Sequence, residues 1–265
     1  MGRTVGDFLQ VVEALSGTAD SSGVDGLVCG DPESILTGVA VVFSATLPVL
    51  EATVASGANL IIAHEGVYYR HHAGEDWLSQ DSVYRQKKEW ITSQGLSIWR
   101  NHDGWHRRVP DGIMQGLVHT LGWDDRIDTY LPTAAVATIP PVPLATLAKE
   151  LKFRLAAPFI RLGGDPAMIS RRIGLLAGYR GNMEQALPLL QEHGVDTLIA
   201  GEGPEWELPE YMTDACHQGG GRGLLMVGHA VSEEPGMRYL AEELQSLVPD
   251  VQIHYIAGPA PLSVI

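Results

Sequence analysis

The chain has 265 residues, 45 % hydrophobic and 19 % charged, enough for one large or two modest α/β domains with a sizeable core, and nothing in it suggests disorder or coiled coil. With 32 acidic and 18 basic residues the formal net charge is −14, a field that repels nucleic acid and anionic membrane. Two distant cysteines, Cys29 and Cys216, in no CxxC spacing indicate neither a disulfide framework nor a thiolate zinc site, and their usage fits a reducing cytoplasm.

The opening stretch MGRTVGDFLQVVEALSG is an amphipathic helix pattern with Phe8, Val11, Val12 and Leu15 on one face, not a charged segment followed by a continuous apolar run. Gly6 stands where a myristoylation signal requires Ser or Thr, and no apolar run approaches the ~20 residues that span a bilayer. Gly38 to Thr46 reads as a buried strand, LPVLEATVASG as a helix closed by Gly57, and NLIIA as the next strand, which together make a βαβ unit. A helix over Ser82 to Gln94 leads to the short strand LSIWR and the turn-like NHDGWH; a further helix starts at about Asp111, after Pro110.

The Pro-rich passage Ile139 to Leu144 marks a strand-to-helix junction and divides the chain into an N-terminal lobe, 1–138, and a C-terminal lobe, 139–265. The rhythm then repeats: strand Arg172 to Gly178, helix Met183 to Gly194, strand DTLIAG, helix LPEYMTDACHQGG, strand GLLMVGH and helix GMRYLAEELQSLV. A last strand covers Val251 to Ala257. GANLIIAHEG (57–66) aligns with GVDTLIAGEG (194–203), which suggests an internal duplication with Glu65 and Glu202 at equivalent strand ends. The expected fold is α/β, two similar βαβ-rich lobes with ligands at the carboxyl ends of the strands, between the lobes.

Polar groups cluster at those ends. His64 and Glu65 follow NLIIA, His102 to His106 follow LSIW, and His229 with Glu233 follow LLMVG. One such histidine is most often a packed or capping residue; at three strand ends together, imidazoles and carboxylates suit zinc, iron or manganese. Two divalent ions fit three imidazoles and two carboxylates when one carboxylate is shared. Other chemistries lack their motifs. His64 has Tyr68 four residues on, so the zincin pattern is absent; no GxxxxGK[ST] or GxSxG occurs. GYRGN (178–182) offers backbone amides to a phosphate or forms a tight turn, and His71-His72 reads as solvated.

In order and spacing, GANLIIAHEG, the midchain His102 to His106, GVDTLIAGE and GHAVSEE resemble the NGG-one interacting factor three-like family, whose members are commonly named type 2 homologues of GTP cyclohydrolase I. The likeness runs from about Val5 to Ile256, and its most specific piece is the Gly-His-x-x-x-Glu of Gly228, His229 and Glu233. The resemblance implies metal ligands at His64, Glu65, His106, His229 and Glu233, with Glu233 shared between two ions. This chain departs from the pattern twice: Glu65 replaces a second histidine and His106 an aspartate, so three imidazoles and two carboxylates remain. Ser44 also replaces an aspartate, and Glu205-Trp206 replaces polar or histidine residues.

His102 is expected to stand behind the ligands, Glu202 to act as general base or acid, and Tyr68, Trp105, Tyr179 and Trp206 to flank a planar substrate. The expected function is metal-dependent hydrolysis of a C–N bond in a cyclic amide or nucleotide-like ring, or of a phosphoester, in a small molecule. The alternatives are a metal-carrying or regulatory binding protein and an interaction scaffold with a decayed site. The resemblance further implies a homohexamer.

Overall fold

A computed structural model of the chain describes residues 2–17, 23–72 and 76–263. In chain order it begins with α1 (Val5–Ser16), β1 (Gly26–Cys29), β2 (Val39–Val42), α2 (Leu47–Ala55), β3 (Leu60–Ala63), α3 (Ser82–Ser93), β4 (Ser97–Arg100) and α4 (Asp103–Arg107). There follow α5 (Gly112–Leu121), β5 (Ile127–Leu131), β6 (Ala134–Pro143), α6 (Leu144–Arg154), β7 (Arg161–Gly163) and β8 (Ile169–Leu176). The last elements are α7 (Met183–Gln191), β9 (Thr197–Ala200), α8 (Leu208–His217), β10 (Gly223–Met226), α9 (His229–Leu247) and β11 (Ile253–Tyr255).

Two compact units result. The first holds residues up to Arg108 together with Met237–Ser263, and the second holds Val109–Gly236. The division read at 138/139 instead falls inside β6, where the Pro-rich passage continues one strand paired with β8 through Pro143. The first unit regains the C-terminal segment because β11 pairs in parallel with β2.

Each unit has its own sheet. The first runs β1-β4-β3-β2-β11, and the second β7-β10-β9-β8-β6-β5. In both, three consecutive strands are parallel (β2, β3, β4 and β8, β9, β10), and an earlier strand, β1 or β7, pairs antiparallel with the third. The succession α1-β1-β2-α2-β3-α3-β4-α4 is thus repeated by α6-β7-β8-α7-β9-α8-β10-α9. The aligned stretches put β3 over β9, the middle parallel strand of each sheet.

The parallel strands form because their sequences are apolar on both faces. All four residues of β2, β3, β9 and β10 are buried, as strands covered on both sides require. Leu60, Ile61, Ile62 and Ile98 are wholly inaccessible, each worth about 1.5–3 kcal/mol of burial. Ala186, Leu189, Leu198 and Met212 build the corresponding core of the second unit. Local signals set the helix ends. Thr4 and Asp7 form a reciprocal capping box at α1. Asp81 caps α3, Asp111 caps α5 and Asn182 caps α7 through side-chain oxygens.

Two segments differ from the sequence reading. NHDGWH is not a turn: after Asn101 and His102 it winds into α4. The last long helix starts at His229 and accommodates Pro235, which reads as a helix breaker. Among the described residues, no helix is long and apolar enough to cross a membrane.

Candidate metal centre

Candidate ligands stand at polar strand ends of each unit. In the first unit His64 leaves β3 fully buried, and its Nδ1 lies 3.3 Å from the carbonyl of Asn101. Donation from Nδ1–H to that carbonyl turns the lone pair to Nε2. His102 stacks on His64 with ring centroids 4.4 Å apart, and His106 stands 5.1 Å from His64 and 4.8 Å from His102. One nitrogen from each of these three rings lies within 4.8 Å of the others, an arrangement able to hold a metal ion.

The cluster depends on a helix of only five residues. The carboxylate of Asp25 accepts the amides of His102 at 2.6 Å, Asp103 at 2.9 Å and Gly104 at 2.6 Å. This gathers the N–H groups that open α4, so that His102 and His106 follow one another across a single helical turn. A Cβ at Gly104 would stand 2.7 Å from the carbonyl of Ser16, so only glycine lets α4 sit this close to the end of α1.

Electrostatics keep the His102 ring neutral. Burial, then the neighbouring His64 and His106, lowers the pKa of His102 from 6.5 to about 3. Asp103 holds its Nδ1 at 2.8 Å and takes the Val24 amide at 3.2 Å. Burial alone would raise the pKa of Asp103, but the His102 and Val24 hydrogen bonds outweigh it and the pKa is lowered. A carboxylate behind an imidazole is the usual way of fixing a metal-binding histidine. His102 thus sits as close in as His106, although the sequence placed it behind the ligands.

Glu65 follows His64 and faces Arg100 at 3.7 Å. Arg100, 5 % exposed, also donates Nε to the His64 carbonyl at 3.2 Å and meets His71 Nδ1 through Nη2 at 3.0 Å. His71 was read as solvated; its ring is exposed yet engaged, edge-on to His102 at 4.7 Å. Burial, and then Arg100, lowers its pKa.

The second unit places His229 at the start of α9, just beyond β10, with Glu233 one turn on. Its Nε2 lies 2.9 Å from Glu233 Oε2, and its Nδ1 lies 2.9 Å from Glu202 Oε1. A ring flanked by carboxylates at both nitrogens is satisfied either as the imidazolium or as a ligand sharing a cation with Glu233. Glu233 is 3 % exposed and rests on Gly178, where φ is +65° and a Cβ would stand 2.0 Å from its Oε1.

GYRGN is a bend held against the Glu202 backbone. The amide of Gly181 donates to the Glu202 carbonyl and that of Glu202 to the Gly178 carbonyl, both at 2.9 Å. Arg180 from this bend binds Asp111, the buried cap of α5, at 2.9 Å.

The aromatic candidates divide. Trp105 is wholly buried and packs against Tyr239, and Tyr68 is 7 % exposed with its ring edge-on to Tyr84. Neither offers a face to a substrate, which corrects the sequence reading. Tyr179 and Trp206 are open, at 57 % and 70 % exposure. Sequence reasoning missed Asp25, Arg100 and Asp103 as supports. Asp103 alone had a signal, its adjacency to His102.

Fold and site together define a two-unit α/β protein with candidate metal-binding groups of histidine and carboxylate at the carboxyl ends of parallel strands. The family model Duf34/NIF3 (NGG1p interacting factor 3) matches residues 4–260, and the chain belongs to this family. A relative from Allochromatium vinosum, named GTP cyclohydrolase 1 type 2 homolog, is 26 % identical over 206 residues, 76 % of this chain and 75 % of that one. A protein of the same name from Chlamydia trachomatis is 22 % identical over 230 residues, 84 % and 85 % of the two chains. Among solved structures, a Bacillus cereus protein related to NIF3 superposes with a TM-score of 0.78 at 14 % identity, covering 99 % of both chains. At that identity the likeness shows the fold.

Proposed function

We propose that the chain is a metal-dependent hydrolase that uses two divalent ions, zinc, iron or manganese, held by His64, Glu65, His106, His229 and Glu233. The reading is carried by one observation: three imidazoles converge, with His64 and His102 each held at Nδ1 by an acceptor that fixes its tautomer. Glu202 does the same for His229. No cysteine takes part, so the donor set is one of nitrogen and oxygen, suited to these ions. His102, with Asp103 behind it, is a further imidazole donor to the same set.

Bound divalent ions supply Lewis acidity and activate water for hydrolysis. The chain's own contribution is to hold His102 neutral, to fix the His229 ring through Glu202, and to keep Glu233 seated on Gly178. The names of the relatives favour a small cyclic amide or nucleotide-like ring opened at a C–N bond; a phosphoester is the other substrate this chemistry serves. Glu202 is the candidate for proton transfer; the family resemblance further implies a homohexamer, and the cysteine usage fits a reducing cytoplasm.

A second reading is a metal-carrying or regulatory protein without turnover. Its support is that Glu202, the assigned acid or base, is already bonded to His229. Elemental analysis of protein purified without added metal, with His64→Ala and His229→Ala variants, tests the ligand set: about two ions per chain are expected, fewer in both variants. Turnover on heterocyclic amides and phosphoesters that disappears with chelator and returns with one metal supports the hydrolase. Tightly measured metal with no turnover supports the carrier, and a metal-free protein after reconstitution removes both.

A further inference from the structure

The first unit contains a cavity of about 310 Å³ beside the carboxyl ends of β2 and β3, lined in part by Ser44, Thr46, Glu65, Tyr69, Arg70 and Lys87. Its charged lining is two cations against one carboxylate, in a chain whose formal net charge is −14. Glu65, that carboxylate, already faces Arg100.

Lys87 is the unusual member. Projecting from α3, it is 2 % exposed, and its Nζ donates to the Val67 carbonyl at 2.5 Å. The Nζ also lies 4.9 Å from the ring centroid of Tyr69 and 5.8 Å from that of Tyr68. Among the described residues, no carboxylate stands within ion-pair distance of it. Two ring faces and a carbonyl offset part of the cost of burying an ammonium, but a buried charge is ordinarily paired. Burial lowers the pKa of this amine from 10.5 to about 8, as expected of a cation whose counter-charge is missing. Tyr69, which covers it, is held at φ +62°, a left-handed conformation that bulky residues rarely adopt.

We propose that this cavity seats an anionic group of the substrate, a phosphate or a carboxylate, with the Lys87 ammonium as its counter-charge. The ligand's being the substrate rests on the hydrolase reading above; the binding of the anion does not. Glu65 joins the two, since it lines the cavity and belongs to the proposed ligand set, so an anion held at Lys87 leaves the rest of the molecule beside the metal donors.

The test uses the full chain stripped of metal by chelation, so that no ion holds the anion. Inorganic phosphate and acetate are titrated separately by calorimetry into the parent, Lys87→Met and Lys87→Arg proteins, which distinguishes the two anions. The parent is expected to bind one of them saturably, Lys87→Met about tenfold or more weakly, and Lys87→Arg with most of the affinity retained. If Lys87→Met does not fold, the Lys87 amine of the parent, followed by NMR after reductive methylation, should titrate at higher pH with the anion bound.

Equal binding by a folded Lys87→Met protein, a Lys87 titration unmoved by anion, or no saturable binding of either anion overturns the proposal. Binding seen only after metal is restored also overturns it while leaving the metal reading intact. Lysine-dependent binding to a chain that never takes up metal leaves the anion site standing and the hydrolase reading fallen.

Discussion

Glu202 Oε1 lies 2.9 Å from Nδ1 of His229, on the opposite side of the ring from Glu233. That contact gives Glu202 two separable duties, orienting the imidazole and handling a proton. Glu202→Gln keeps an oxygen able to accept from Nδ1–H but lacks a carboxylate's basicity, whereas Glu202→Ala removes both. If Glu202 transfers a proton in turnover, Glu202→Gln retains metal and loses about 10²–10⁴-fold in kcat. If it only orients His229, Glu202→Gln is near normal and Glu202→Ala binds metal about 10–100-fold more weakly. Metal affinity and kcat measured on both variants separate the duties.

Asp25 governs the other histidine pair. Its carboxylate accepts three successive amides at the head of α4, so Asp25→Ala leaves three partly buried N–H groups without their acceptor. The expected loss is about 2 kcal/mol in urea unfolding, with less lost in Asp25→Asn, which keeps one acceptor oxygen. Metal affinity should fall with it, because His102 and His106 lose the turn that brings them together. An unchanged unfolding midpoint in Asp25→Ala would show that α4 forms without this cap.

Most of the fold was legible because its signals were local. The apolar runs at β2, β3, β9 and β10 are buried on both faces, and Asp81, Asp111 and Asn182 mark helix starts. β1, β5 and β7 were not found, since these short edge strands are partly exposed and lack a clear alternation. DGWHR has no helix-forming pattern of its own; the carboxylate that organises it lies 77 to 79 residues earlier in sequence. Pro235 and Gly236 hid the first two turns of α9. The candidate ligands were legible as strand-end residues, but Arg100 and Lys87 read as ordinary charges because burial, which alone makes them unusual, is a property of the fold.

The His102 environment makes stability depend on pH with a definite sign. In the unfolded chain this imidazole protonates near 6.5, and in the folded one not until about 3. Between those values the unfolded state binds the extra proton, so the contribution is fully present above about pH 6.5 and drains away as pH falls toward about 3. His71 shifts in the same direction. Urea midpoints of metal-free protein between about pH 5 and pH 7.5 should fall less steeply with acid for His102→Asn than for the parent. Parallel slopes would mean that His102 is accessible to protons in the folded state.

Two glycines with similar backbone strain separate conformation from packing. Gly57 closes α2 at φ +82° with nothing within 4 Å of an added Cβ, whereas Gly178 has φ +65° and Glu233 Oε1 2.0 Å from that position. Gly57→Ala therefore meets only the left-handed strain, about 1–2 kcal/mol, with no effect on metal binding. Gly178→Ala meets the same strain and must also displace a carboxylate that is 3 % exposed, adding about 1–3 kcal/mol. Because the displaced group also faces His229 Nε2, metal content should drop in Gly178→Ala and stay at the parent level in Gly57→Ala. Equal metal content in the two variants would mean that the position of Glu233 on Gly178 is immaterial to the site.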